Sequence, residues 1–182
     1  MLANAGVEAL ALLLSCDDAE VLEPACAALA TLTTISGANC ERLLECGGTE
    51  SLVRLCLSPF SVEFVELQCF AAEAVANSTR VDSIMHAIAV RDAGLSNLVL
   101  CCASTNLLVR RHAAVAICNV ARAEDIRVLL GDAGAVEALF GVAQTDDVQG
   151  VSYALWAIAN LCWSVENQNR MGRFAAQLGD LC

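Results

Sequence analysis

The chain has 182 residues, of which 57 % are hydrophobic and only 4 % aromatic, with two prolines and a net charge of −11. An apolar content made mainly of Ala, Leu, Val and Cys suits close helix packing and reads as all-helical. The acidic balance opposes nucleic-acid binding, which needs clustered basic side chains, and all ten basic residues here are arginines spread along the chain.

In chain order, the first twenty residues offer no secretory leader, because Met1-Leu-Ala-Asn-Ala-Gly has neither a basic start nor an apolar core. A glycine turn at Gly6 precedes a short helix over 7–14, and a longer helix runs from about Asp17-Asp18 to Leu32 with acids at its positive end. A short helix over 39–46 leads to a turn at Gly48. Ser58-Pro59 is a cap-then-proline start for the next long helix, and about four extra residues fall around 58–64. Further short helices fall over 82–92 and 124–132, before turns at Gly94 and Gly134. The longest uncharged run, 148–165, contains Gln149, Ser152, Asn160 and Ser164 and lacks flanking arginine clusters, so no direct membrane insertion is expected.

Two short patterns recur. The first is Ala-Gly-Val-Glu-Ala-Leu10, Gly-Gly-Thr-Glu-Ser-Leu52, Ala-Gly-Leu-Ser-Asn-Leu98 and Gly-Ala-Val-Glu-Ala-Leu139, with the leucines 42, 46 and 41 residues apart. The second is Ala-Cys-Ala-Ala-Leu-Ala-Thr31, Ala-Ala-Glu-Ala-Val-Ala-Asn77, Ala-Ala-Val-Ala-Ile-Cys-Asn119 and Ala-Leu-Trp-Ala-Ile-Ala-Asn160, spaced by 46, 42 and 41. The long interval moves from one gap to the other because the insertion lies between the two patterns of one unit. These periods divide the chain into a partial repeat at 1–34, repeats at 35–80, 81–122 and 123–164, and the start of another at 165–182. The apolar residues Leu10, Leu12, Leu13, Phe174 and Leu181 near the two ends are expected to lack a stacking neighbour, as in part of a longer array.

Three helices in about 42 residues, with a glycine bend between the first two, resemble the armadillo repeat. Asn39-Cys-Glu-Arg42 with Gly47-Gly48, and Asn167-Gln-Asn-Arg170-Met-Gly172, are similar to the family's Asn-x-x-Asn-Arg…Gly opening. A HEAT array fits less well, because it lacks the glycine bend and the terminal Asn of the long helix. The resemblance implies an all-α, right-handed α-solenoid whose long helices line a concave groove, acting as a non-catalytic protein-protein interaction scaffold that binds an extended or helical segment of a partner along that groove.

On that face the ladder Thr31, Asn77, Asn119 and Asn160 stands at the end of successive long helices. In importin-α and β-catenin such asparagines grip the backbone of a bound peptide. The competing reading is that they satisfy neighbouring backbone carbonyls. Four residues earlier stand Ala27, Glu73, Val115 and Trp156, on the same helical face. Trp156 paired with Asn160 resembles the importin-α pairing that supports a lysine stem, although packing would explain it equally. Arg111, one turn before Val115, would repel a basic ligand, and no acidic residue follows four after any ladder Asn. The alternative function, a nuclear-import-type adaptor for basic cargo peptides, rests on these residues.

Up to Glu73 there are eleven acidic residues against Arg42 and Arg54, which either steer a basic partner or form a solvated face. Catalysis has little to work with: two histidines, His86 and His112, with no nucleophile elbow, no phosphate loop and no metal-ligand spacing, so no cofactor or metal is implied. The eleven cysteines include no Cys-x-x-Cys pair, and Cys26, Cys69, Cys118 and Cys162, where a helix wants a small apolar residue, read as buried thiols of a cytoplasmic or nuclear protein. The Asn77-Ser78-Thr79 sequon coincides with the repeat's own Asn and is not read as a glycosylation site.

Overall fold

The computed structural model describes residues 2–57, 64–90 and 93–179. Helices α1 (Leu2–Leu13) and α2 (Ala19–Ile35) form a partial unit. Three full units follow: α3 (Gly37–Glu45), α4 (Gly48–Cys56) and α5 (Val65–Ser78); α6 (Asp82–Val90), α7 (Gly94–Cys101) and α8 (Leu107–Val120); then a 3₁₀ turn (Glu124–Ile126) with α9 (Arg127–Asp132), α10 (Ala135–Ala143) and α11 (Val148–Leu161). Helix α12 (Val165–Gly179) packs on α9 and α10. The long helices α2, α5, α8 and α11 lie side by side in chain order, forming an α-solenoid with no strand among the described residues. No single described helix is long and apolar enough to cross a membrane.

Local chemistry sets the element ends. Asp18 caps α2 by accepting from the Glu20 N–H at 2.9 Å, and Ser36 closes α2 and opens α3 by accepting from the Ala38 N–H at 3.2 Å. Asn106 caps α8 from the Leu108 and Val109 N–H groups at 2.9 and 3.4 Å. Helix α2 runs to Ile35, beyond the expected Leu32, and accommodates Pro24 inside it. The expected helix over 124–132 is split by the 3₁₀ turn. The Ser58-Pro59 start signal, and Leu181, lie outside the described residues.

The pattern leucines Leu52, Leu98 and Leu139 are buried, and the long helices, which pack on one another, bury small residues: Cys26, Ala30, Ala72, Ala76, Ala114 and Ala116. Small side chains let the long helices approach closely while Leu22, Leu29, Leu67 and Ile117 fill the layer beneath. At the ends, Leu12 and Leu13 are exposed, as expected for residues without a neighbour. Phe174 departs from that expectation: its ring packs against Phe140 with centroids 5.2 Å apart.

The bend at Gly134 is where the sequence reading put it, and two others differ from that reading by one residue. Left-handed backbone occurs at Gly47 (φ 74°), Ala93 (φ 61°) and Gly134 (φ 87°), not at Gly48 or Gly94, and Gly6 lies within α1. Gly48 and Gly94 are glycines for a different reason, close approach to the preceding short helix. A Cβ on Gly94 would stand 2.2 Å from the Ile88 carbonyl oxygen, and one on Gly48 2.3 Å from the Leu43 Cδ1. Backbone cannot rotate aside as a side chain can. Gly94→Ala should therefore cost about 3 kcal/mol and Gly48→Ala about 1 to 2. Urea unfolding midpoints check this order, and a larger loss at Gly48 contradicts it.

Candidate functional site

The ladder asparagines are brought into one line, and each is tied to the helix before it. Asn77 Nδ2 donates to the Ala30 carbonyl at 3.3 Å and to Thr34 Oγ1 at 2.8 Å. Asn119 Nδ2 donates to the Ala76 carbonyl at 3.3 Å and to Thr79 Oγ1 at 3.1 Å. Asn160 Nδ2 donates to the Cys118 carbonyl at 3.1 Å. The acceptor is each time the residue immediately before the previous ladder position: 30 before 31, 76 before 77, 118 before 119. The amide half of the ladder thus holds neighbouring helices in register. The carbonyl half is free: among the described residues no hydrogen bond to Oδ1 of Asn77, Asn119 or Asn160 occurs, and all three side chains are half-buried. Thr31 differs, being exposed with its hydroxyl turned back to the Ala27 carbonyl at 3.1 Å.

One turn earlier, Glu73 is half-buried in a recess with Ala27, Ala30, Thr34, Ile35 and Phe70, between α2 and α5. Val115 packs against the core, while Trp156 is 64 % exposed, so the indole does not serve as core. His112 is half-buried, and burial lowers its pKa.

Arg111 behaves otherwise than the sequence suggested. Its guanidinium forms a two-pronged pair with Asp147 at the start of α11, Nε to Oδ2 at 2.9 Å and Nη2 to Oδ1 at 2.7 Å. The pair neutralises the charge expected to repel a basic ligand and links two repeats. Gly150 leaves room for it, since a Cβ there would sit 2.6 Å from Asp147 Oδ2. The hydrogen bond from Arg111 holds the Asp147 carboxyl below its ordinary value of 3.8.

The opening motifs form a second set of anchors. Asn39 Nδ2 donates to the Leu32 carbonyl and Asn167 Nδ2 to the Arg127 carbonyl, both at 2.8 Å. Arg42 pairs with Glu8 and Glu45, and Arg170 with Asp132. Sequence reasoning missed Asn106, whose Nδ2 reaches back to the Val65 carbonyl at 3.3 Å, and Arg80, whose Nη2 donates to the Thr33 and Thr34 carbonyls at 3.3 Å each. A cap-type residue 13 positions before Asn119 and Asn160, namely Asn106 and Asp147, was the available signal, whereas Asn77 has Phe64 there. Among the described residues no three His, Cys, Asp or Glu side chains converge as a metal site would require.

The profile of the Armadillo/beta-catenin-like repeat matches residues 124–163, the unit from the 3₁₀ turn through α11. One similar solved structure comes from computationally designed armadillo repeat proteins for modular peptide recognition, 25 % identical, with a TM-score of 0.83 over 93 % of this chain and 71 % of that one. The chain belongs to the armadillo-repeat family. Another armadillo neighbour is a designed armadillo repeat protein in complex with the peptide (KR)4, 25 % identical, with a TM-score of 0.73 over 85 % of this armadillo chain and 63 % of that one. The crystal structure of an engineered protein is 32 % identical, with a TM-score of 0.76 over 85 % of this chain. The chain spans 62 % of that protein's length. No curated protein sequence matches significantly.

Two outcomes follow for the armadillo ladder. Asn119→Ala removes the donor to the Ala76 carbonyl and should cost about 1 to 2 kcal/mol in denaturant unfolding, whereas Asn169→Ala, at an exposed position, should change stability by less than about 0.5. Equal effects contradict an inter-repeat role. The Arg111–Asp147 pair stabilises fully above the ordinary carboxylate pKa, and this is lost as pH falls through the lower folded value. The deficit in Tm of Arg111→Gln should be complete at neutral pH and shrink below about pH 4. A deficit constant down to pH 2 contradicts the pairing.

Proposed function

We propose that the chain is a non-catalytic interaction scaffold that holds an extended segment of a partner protein along the ladder face. The observation that carries this is the division of labour within each ladder asparagine. With Nδ2 held by the preceding helix, Oδ1 is fixed in direction and ready to accept from a backbone N–H, irrespective of the ligand's side chains. Facing helices spaced roughly 8 to 10 Å apart match two to three residues of extended chain at about 3.3 Å each.

A basic segment is the favoured ligand. Glu73 stands in a recess with apolar walls suited to the stem of Lys or Arg, the chain carries −11, and Arg111 is neutralised by Asp147. A similar designed armadillo protein holds (KR)4. The exposure of Trp156, four residues before Asn160, supports a second reading as a nuclear-import-type adaptor for basic cargo, in which the indole supports a lysine stem. Either role belongs to the cytoplasm or nucleus and to a longer array.

Fluorescence anisotropy with a labelled Lys/Arg-alternating octapeptide tests the reading, below the melting range of every variant. Asn119→Ala should weaken binding about fivefold to tenfold, and Glu73→Lys at least as much, with the loss growing at low salt. Unchanged affinity in both variants contradicts a groove ligand of this kind. Loss in Trp156→Ala beyond that in Asn119→Ala would favour the import-type reading.

A further inference from the structure

We infer that the groove selects a two-part ligand: a cation at the α2–α5 end and an aromatic side chain at the α8–α11 end, about five or six residues apart along one extended segment. This rests on the ladder face holding an extended segment, and it names the side chains that the face selects.

The observation is that one recess recurs along the stack with its chemistry changed. Between α2 and α5 it is lined by Ala27, Ala30 and Thr34 from the first helix and by Phe70 and Glu73 from the second. The repeat periods carry these positions to Val115, Cys118 and Arg122 of α8 and the turn after it, and to Tyr153 and Trp156 of α11. Tyr153 and Trp156 stand seven and four residues before Asn160 and so share its face of the helix. The openness of this face does not depend on the ends of the stack. On α5 and α8, each with a long helix on both sides, Phe70, Glu73, His112 and Val115 are only half-buried.

Two replacements decide what each recess can take. Trp156 stands in place of Glu73 and Arg122 in place of Thr34, so a carboxylate is lost where a cation is gained. Helices α8 and α11 contain no Asp or Glu, and Asp147 at the start of α11 is held by both prongs of Arg111. A ligand Lys or Arg would there give up water beside Arg122 with no carboxylate to receive it. An aromatic ring uses what the recess offers: the Val115 methyls, two rings for offset or edge-to-face stacking, and a guanidinium that attracts a ring face. Tyr153 is 42 % exposed and Trp156 64 %, which leaves both rings open to stacking. At the other end Glu73 keeps its carboxylate, with Glu20, Glu23 and Glu66 on the same two helices. The two recesses are two helix spacings apart, roughly 16 to 20 Å, which about five or six extended residues span.

Fluorescence anisotropy with labelled dodecapeptides tests this. Each peptide carries Lys-Arg near one end and Phe six positions further on, among Ser and Ala, in both chain orders. The Lys/Arg-alternating octapeptide is measured beside them. In one order the Phe peptide should bind about tenfold more tightly than its Phe→Ala and Phe→Lys counterparts. Trp156→Ala should remove that advantage and leave the dependence on Lys-Arg, whereas Glu73→Gln should weaken the dependence on Lys-Arg and leave the advantage of Phe. No advantage of Phe in either order, or one that survives Trp156→Ala, overturns the inference, and octapeptide binding then leaves the groove reading standing without it. If no peptide binds, the octapeptide included, the groove reading fails as well.

Discussion

One hydrogen bond, repeated, organises this molecule: the amide of an asparagine at the end of the long helices α5, α8 and α11, given to the carbonyl just before the corresponding residue of the previous one. The bond forms only if the helices approach closely and in register, which explains the small side chains at Cys26, Ala72, Ala76 and Ala114. Ala30 and Ala76 already accept from the hydroxyls of Thr34 and Thr79, so the asparagine completes a polar seam within an apolar stack. Such a seam fixes register, because a shift of one residue would leave a half-buried amide without an acceptor.

The opening short helices are pinned by the same device. Asn39 gives its amide to the Leu32 carbonyl near the end of α2 and Asn167 to the Arg127 carbonyl at the start of α9, and Arg42 and Arg170 pair with acids of the unit before. Gly131 permits this at one end, since a Cβ there would occupy the space of the Asn167 amide and the Arg170 guanidinium. Register is thus set on both layers, and the long-helix face is left rigid and regular. A rigid face with oriented acceptors is what a scaffold for an extended ligand needs, because little order has to be gained on binding.

Much of this was legible in the sequence. The two recurring patterns, with their insertion shifting between gaps, located every long helix and the anchoring leucines, since burial and helical period leave a strong trace in residue type. The ladder positions were legible as well, but not the direction of their bonds. A terminal Asn that grips a ligand and one that grips a neighbour have the same spacing, and here the two ends of one amide divide these roles. Gly48 and Gly94 were misread as the bends because close approach and left-handed backbone both select glycine, and the adjacent Ala93 shows that the bend tolerates a side chain. The Arg111–Asp147 pair was invisible because its partners are 36 residues apart and meet only once the repeats have stacked.

The central claim, that the ladder amides hold the repeats while their carbonyls stay free, can be read directly from the asparagine side chains. In the chain labelled with ¹⁵N and ¹³C at asparagine, the account predicts that the side-chain amide protons of Asn77, Asn119 and Asn160 exchange with water more slowly than those of the exposed Asn169. Addition of a peptide ligand should move their ¹³Cγ resonances without speeding that exchange. Ladder amides that exchange as fast as those of Asn169 in the free protein would contradict the account.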